Sequence, residues 1–347
     1  MARRENGLDP IRRFAKSYQR NSAGLRHDLR VIFKGFHQQA DLHAARNTLD
    51  GIEYRGLEVP DVGFDIGAYF EAARRVSNSH LVFLNTHSEV SSPDWLAALS
   101  RYGCDEQVGV AGSMGSYESL RDTVQILKEV IGRSVGAGNE YDRNIAHYFD
   151  FVLQGRHRAW YSATGEVITP RQSRFPRLSR LGRALASGAA RPWLALRGTA
   201  LIWPGAQRFD AQQFPRFPNA HIRSNAFMIR RDRWLQLAFE PRRKVEASLF
   251  ESGPESLTAR LRARGLATIV VGADGRRYDV ADWPRSRTFR LGDQANLLIH
   301  DNHTRAFEAM SPGARVAHSW MTWGDYLDTL PADFPHLGLS LAQGASH

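Results

Sequence analysis

From Leu29 onward the chain alternates short runs rich in β-branched and aliphatic residues with amphipathic stretches of helical spacing, and few architectures accommodate that alternation. The runs at 29–33, 57–59, 80–84 and 108–112 read as strands, with helices between them at about 38–49, 66–76 and 93–102. Ser91 and Ser92 are candidate caps for the third helix, and Pro93 is pre-set for its first turn. Regular structure returns at 226–230 (strand), 255–264 (helix) and 267–271 (strand), with a last short strand at 297–300 and a terminal helix at 322–329. The expectation is an α/β domain built on a mostly parallel sheet flanked by helices. With 347 residues, 42% apolar and 24% charged, the chain fits one large domain with insertions and a real core.

The organisation is uneven. Residues 1–28, with Arg3, Arg4, Arg12, Arg13 and Lys16, read as a basic N-terminal extension without the apolar core of a signal peptide. Residues 29–330 read as the main domain, divided into a first half at about 29–115 and a second at about 210–330, with 331–347 as a tail. A section from about 117 to 155 reads as helical. Between 167 and 209 no acidic residue occurs, while Arg171, Arg174, Arg177, Arg180, Arg183, Arg191, Arg197 and Arg208 accumulate among Leu, Pro and Trp. This Arg-rich insertion suits either a solvated excursion or a surface that meets anionic lipid heads or an anionic acceptor. The expected location is the cytoplasm, peripheral on the inner membrane face.

The formal charge of +10 calls for anionic partners but does not choose among them. A single cysteine, Cys104, excludes an internal disulfide and any multi-cysteine metal framework. No Gly-Lys-Ser/Thr closes a glycine-rich loop, and no Gly-x-Gly-x-x-Gly joins a strand to a helix, which sets aside P-loop NTPases and ordinary dinucleotide oxidoreductases. Basic and aromatic residues are not interleaved as an RNA-stacking platform requires, so no specific nucleic-acid partner is expected.

Ligand groups in open α/β sheets gather beyond the carboxyl ends of strands. Two segments fall there. Val59-Pro60-Asp61-Val62-Gly63-Phe64-Asp65 places carboxylates four positions apart across the turn leaving a strand. Asp61 is aimed over the sheet, and Asp65 is placed to cap the next helix or to touch ligand. The second segment runs Leu81-Val82-Phe83-Leu84-Asn85-Thr86-His87-Ser88-Glu89-Val90, a strand entering a polar cluster in which Asn85, His87 and Glu89 alternate and can face a divalent ion or a diphosphate.

These two segments together resemble inverting family 2 glycosyltransferases of the GT-A (Rossmann-like) fold. The stretch from Asp61 to Asp65 is similar to their Asp-Asp-Gly-Ser-x-Asp turn, and Phe83 to Leu96, ending Ser-Ser-Pro-Asp-Trp-Leu, is similar to their strand carrying the Asp-x-Asp metal motif. The resemblance covers about residues 29–112, with a weaker echo in His221-Ile222-Arg223-Ser224-Asn225-Ala226-Phe227. It implies transfer of a sugar from a nucleotide-diphosphate donor to a cell-surface glycan or lipid-linked acceptor. Asp61 would contact the donor's base, and positions 85 and 87 would hold magnesium or manganese on the diphosphate. Because Asn85-Thr86-His87 stands where two carboxylates are the family pattern, metal dependence is left open, and arginines can take part of the ion's role.

The resemblance further implies an acidic general base late in the domain, for which Glu251 is the candidate and Glu246 the reserve. His303, in Asp301-Asn302-His303-Thr304-Arg305 after a short apolar run, is the candidate third ligand of the metal or diphosphate, beside the alternative that it is structural. A non-catalytic nucleotide-sugar-binding relative is the competing expectation.

Overall fold

The computed structural model describes residues 1–122, 160–161, 166–169, 207–210, 213–310 and 312–324 of the chain. Its first part runs β1 (Ala2–Arg3), α1 (Asp9–Arg20), β2 (Arg30–Lys34), α2 (Gln39–Asn47), β3 (Arg55–Val59), α3 (Phe64–Arg74) and β4 (His80–Phe83). Then follow β5 (Glu89–Val90), α4 (Trp95–Gly103), β6 (Val108–Gly112), β7 (Gly115–Ser116), β8 (Trp160–Tyr161), β9 (Glu166–Thr169) and β10 (Gln207–Asp210). The last part comprises β11 (His221–Ile222), β12 (Phe227–Arg230), α5 (Arg231–Gln236), α6 (Lys244–Ser252), α7 (Leu257–Ala263), β13 (Ala267–Val271), β14 (Arg277–Tyr278), β15 (Ile299–His300), α8 (Asn302–Glu308) and α9 (Pro312–Trp323).

The architecture is mixed α/β with flanking helices. Strands β1, β2 and β3 form a wholly parallel sheet in that order. A five-stranded sheet runs β14-β13-β6-β12-β4, and the Met1 amino group donates to the Leu84 carbonyl at 3.1 Å, tying β1 to the end of β4. Within the five, β13 is parallel to β6, whereas β12 is antiparallel to both β6 and β4. The expectation of a mostly parallel sheet therefore holds for the first sheet and is corrected for the second, which is mixed. The reason lies in the connection: β12 is reached from β6 through residues 113–226 rather than by a short crossover helix, so it can enter reversed.

Alternation along β2 covers both faces of the first sheet. Val31 and Phe33 join Ile11, Ala15, Leu42 and Ala45 on one side, while Ile32 joins Val59, Ile66 and Tyr69 on the other. The stretch 1–28, which reads from sequence as an extension, thus contributes a strand and a packed helix. Ile11, Phe14, Ala15 and Tyr18 supply the i, i+3, i+4, i+7 stripe, and Arg12, Arg13 and Lys16 are exposed outside it. On the far side of the main core, Trp234 is fully buried, stacked on Phe70 with centroids 4.4 Å apart and packed against Phe83 at 4.9 Å and Phe250 at 5.6 Å.

Several boundaries differ from the sequence reading. Helix α4 begins at Trp95 with Asp94 as its N-cap, and neither Ser91 nor Ser92 caps it: Ser91 Oγ donates to the Leu297 carbonyl at 2.8 Å. Of the helix expected at 322–329, positions 322 and 323 fall in α9 (Pro312–Trp323), and 325–329 lie outside the described residues. Almost all of the section expected to be helical beyond 122, and the arginines of the basic insertion apart from Arg208, lie outside the described residues. Among the described residues no helix is long and apolar enough to cross a membrane.

Candidate functional site

The carboxyl ends of β2, β3 and β4 share one rim, and the first feature on it is built around Asp61. Lys34 closes β2 with its side chain fully buried; its ammonium donates to the Phe64 carbonyl and lies 3.6 Å from Asp61. Burial lowers the Lys34 pKa, with Asp61 and Asp65 pulling the other way. Arg3, at the end of β1, grips the same carboxylate through Nε at 3.0 Å and Nη2 at 3.1 Å. Burial alone would raise the Asp61 carboxyl, but Arg3 and Lys34 outweigh it, so the pKa is lowered. Gly35 makes the approach possible: its φ of 74° is left-handed, and a Cβ there would come within 3.0 Å of the Asp61 Cβ. A cleft of about 400 Å³ opens above, lined by Arg4, Glu5, Gly35, His37, Gln38 and Asp61.

The second feature is the turn after β4. Asn85 Oδ1 accepts from the His87 backbone N–H at 2.8 Å and from Ser88 Oγ at 3.2 Å, so this side chain folds back onto its own turn. Asn225, 2% exposed, pins the turn from β12's approach: its Oδ1 accepts from the Asn85 N–H at 2.8 Å and from Ser88 Oγ at 2.7 Å. Two donors converging on that atom fix which way the amide points. Replacing Asn225 with valine is expected to cost about 1–3 kcal/mol, because the Asn85 N–H loses its acceptor and the Ser88 hydroxyl keeps only its longer bond to Asn85. Urea denaturation reads this, and an unchanged midpoint would refute the bracing role.

His87 is half-buried with Nε2 3.0 Å from Asn6 Nδ2, and its carbonyl accepts from Arg305 Nη1 at 3.1 Å. Burial is the largest influence on the imidazole and lowers its pKa; Arg305 and Arg13 act in the same direction, against Asp65 and Asp301. The ring is therefore neutral near neutral pH.

Glu251, in the last turn of α6, centres the third feature. Arg223 Nη1 lies 3.0 Å from Glu251 Oε1, both side chains being less than a fifth exposed, and Ser224 Oγ donates to Oε2 at 2.9 Å. Burial pushes this carboxyl up, but Arg223, His221 and the Ser224 hydroxyl together hold it down at about 2. Arg223 and Arg290 both lie against the buried Phe289 ring, their guanidinium carbons 5.0 and 4.8 Å from its centroid, and Arg290 pairs with Glu118 at 3.1 Å. His303 stands among these groups, its pKa lowered to about 4 chiefly by burial, with Asp301 opposing and Arg223 and Arg290 assisting.

Not every expected residue behaves as its sequence context suggests. Asp65 is the second residue of α3, whose N-cap is Gly63 at φ 72°, and it makes no capping bond; no hydrogen bond to it occurs among the described residues. A Cβ at Gly63 would meet the Gly67 Cα at 2.9 Å, which explains why glycine holds the cap. Glu246 accepts from the Arg242 and Arg243 backbone N–H groups at 2.7 and 3.0 Å and caps α6, a structural task that places it away from the Glu251 cluster. Asn85 turns inward, and His303 lies with Arg223 and Glu251 rather than with His87, so the three candidate metal ligands do not converge. Among the described residues no group of three His, Cys, Asp or Glu side chains is placed to hold a metal.

Hydrogen bonds link the features: Ser224, which donates to Glu251, directly precedes Asn225, which holds the Asn85 turn, and Asn6, next to Glu5 of the cleft wall, meets His87. Sequence reasoning missed Lys34 and Arg3, although a lysine ending a strand just before a glycine is a readable signal. It also missed Asn225 as the brace of the Asn85 turn. The chain matches no protein-family model, no curated protein and no solved structure.

Proposed function

We propose that this rim is the active site of an inverting glycosyltransferase of the GT-A type, moving a sugar from a nucleotide-diphosphate donor to a glycan or lipid-linked acceptor. The observation that supports it is the linkage just described: a cleft with Asp61 at its wall, the Asn85–His87 turn joined to the cleft's rim through Asn6, and the Glu251 carboxylate joined to that turn through Ser224 and Asn225. In this reading the base of the donor lies over Asp61 and the diphosphate over the turn. Glu251, ionised at any physiological pH, accepts the acceptor hydroxyl's proton as that oxygen bonds to the anomeric carbon and the diphosphate leaves with the electrons of the broken bond. The Arg-rich stretch of 171–208 is proposed as the contact with an anionic membrane surface, peripheral to the bilayer.

A binding protein of the same architecture is the second reading. It is favoured by one observation: Glu251 is already satisfied by Arg223 and Ser224, and a carboxylate held at about 2 is a poor proton acceptor. A thermal-shift screen against UDP, GDP, CDP and TDP sugars, with and without manganese, identifies the donor class, since a ligand at a hundredfold its Kd stabilises by about 2.7 kcal/mol. With that donor, Glu251→Gln is expected to lower turnover by about 10²–10⁴-fold while donor binding persists. Binding without turnover in the wild type would favour the second reading, and no stabilisation by any donor would remove both.

A further inference from the structure

We propose that Arg13 and Arg305 form a metal-free clamp for the diphosphate of the donor at the turn after β4. The identity of the ligand rests on the glycosyl-transfer reading above; the anion site itself does not. The turn carries no lysine or arginine of its own: Asn85 spends its carbonyl oxygen on the His87 N–H and the Ser88 hydroxyl, and His87 Nε2 is taken up by Asn6. Charge to balance a diphosphate must come from the elements packed against it.

Two arginines do so, one from α8 and one from α1. Arg305 on α8 is fixed to the turn by its bond to the His87 carbonyl and reaches Glu89 at 3.3 Å, leaving the rest of its fork free of hydrogen-bond partners among the described residues. Arg13 comes from α1. The segment before that helix is anchored by Asn6 on His87 at 3.0 Å, and the helix itself by the Ser17 hydroxyl, which accepts from the Val90 N–H at 3.0 Å. Arg13 lies one turn before Ser17, hence on the same face, between those two anchors. It is exposed and makes no ion pair or hydrogen bond among the described residues.

Of the carboxylates near the turn, Glu89 is paired with Arg305 and Asp301 is committed to capping α8, which leaves Asp65 without a hydrogen bond or ion pair among the described residues. Like charges converging on a neutral turn are unfavourable until an anion lies between them, and guanidinium forks hold phosphate oxygens in pairs without transferring a proton.

The test is calorimetric titration of inorganic pyrophosphate into the full chain in EDTA. The wild type is expected to bind, and Arg13→Gln and Arg305→Gln each to weaken binding by about 10- to 100-fold. Arg20→Gln, at the exposed end of the same helix, is expected to change nothing; an equal loss there would mark general charge attraction and overturn the clamp. Arg305→Lys, which keeps charge but not the fork, should recover part of the loss and reports that the turn still folds. Binding that appears only with manganese, or that ignores both glutamine variants, overturns the proposal even where sugar transfer is observed. Arginine-dependent pyrophosphate binding with no transfer from any donor upholds the clamp and removes the glycosyltransferase reading instead.

Discussion

Arg223→Met is expected to destabilise the protein by about 3–5 kcal/mol at neutral pH, because it strips the partner from a carboxylate that is mostly out of water. The pH dependence carries the sign. In the wild type the Glu251 pKa falls from 4.5 to about 2 on folding, so its contribution is complete above pH 4.5 and is lost as pH falls toward 2. Without Arg223, burial is the dominant influence and raises that pKa, so the variant regains stability as the pH falls and the carboxyl takes up a proton. Guanidinium denaturation at pH 7 and pH 4 therefore should show a large gap between the two proteins that narrows on acidification. Arg223→Met combined with Glu251→Gln should recover much of the loss, since the buried charge is then gone with its partner. A single variant as stable as the wild type at pH 7 would mean the pair is solvated.

Trp234→Ala is expected to cost about 3–5 kcal/mol, enough to endanger folding. The indole is wholly enclosed and touches Phe70, Phe83, Phe227 and Phe250, so neighbouring rings cannot close the void without leaving their own rotamers. The choice of control is sharp, because the Trp234 Nε1–H has no hydrogen-bond partner among the described residues. Trp234→Phe loses volume and nothing polar, and should cost about 1–2 kcal/mol. Denaturation midpoints compare the two; a phenylalanine variant as damaged as the alanine one would show that the indole N–H is satisfied in solution.

Parts of this molecule were legible in one dimension. The strands at 30–34, 55–59, 80–83, 108–112, 227–230 and 267–271 coincide within a few residues with β-rich runs; β6 and β13, buried on both faces, have no choice but to be apolar, whereas β3 is largely exposed. The turns after β3 and β4 were also marked, as polar clusters that interrupt such runs. Helix α1 was hidden because five basic residues drew attention from the apolar stripe between them. Asp65 and Ser91 looked like caps by position, yet Gly63 and Asp94 hold the N-cap positions, both in the left-handed region and without a side-chain capping bond.

What the amino-acid order determined is therefore local: which runs become strands and which polar clusters follow them, beside a net charge of +10. What only the tertiary structure decided is which polar group meets which. Asn225 braces a turn 140 positions away, Arg3 and Lys34 converge on Asp61 from neighbouring strands, and Arg223 takes up Glu251 across 28 positions. Hydrophobic periodicity is a property of successive residues, whereas a hydrogen bond or ion pair depends on distances of about 3 Å that chain order does not encode until the sheets are assembled.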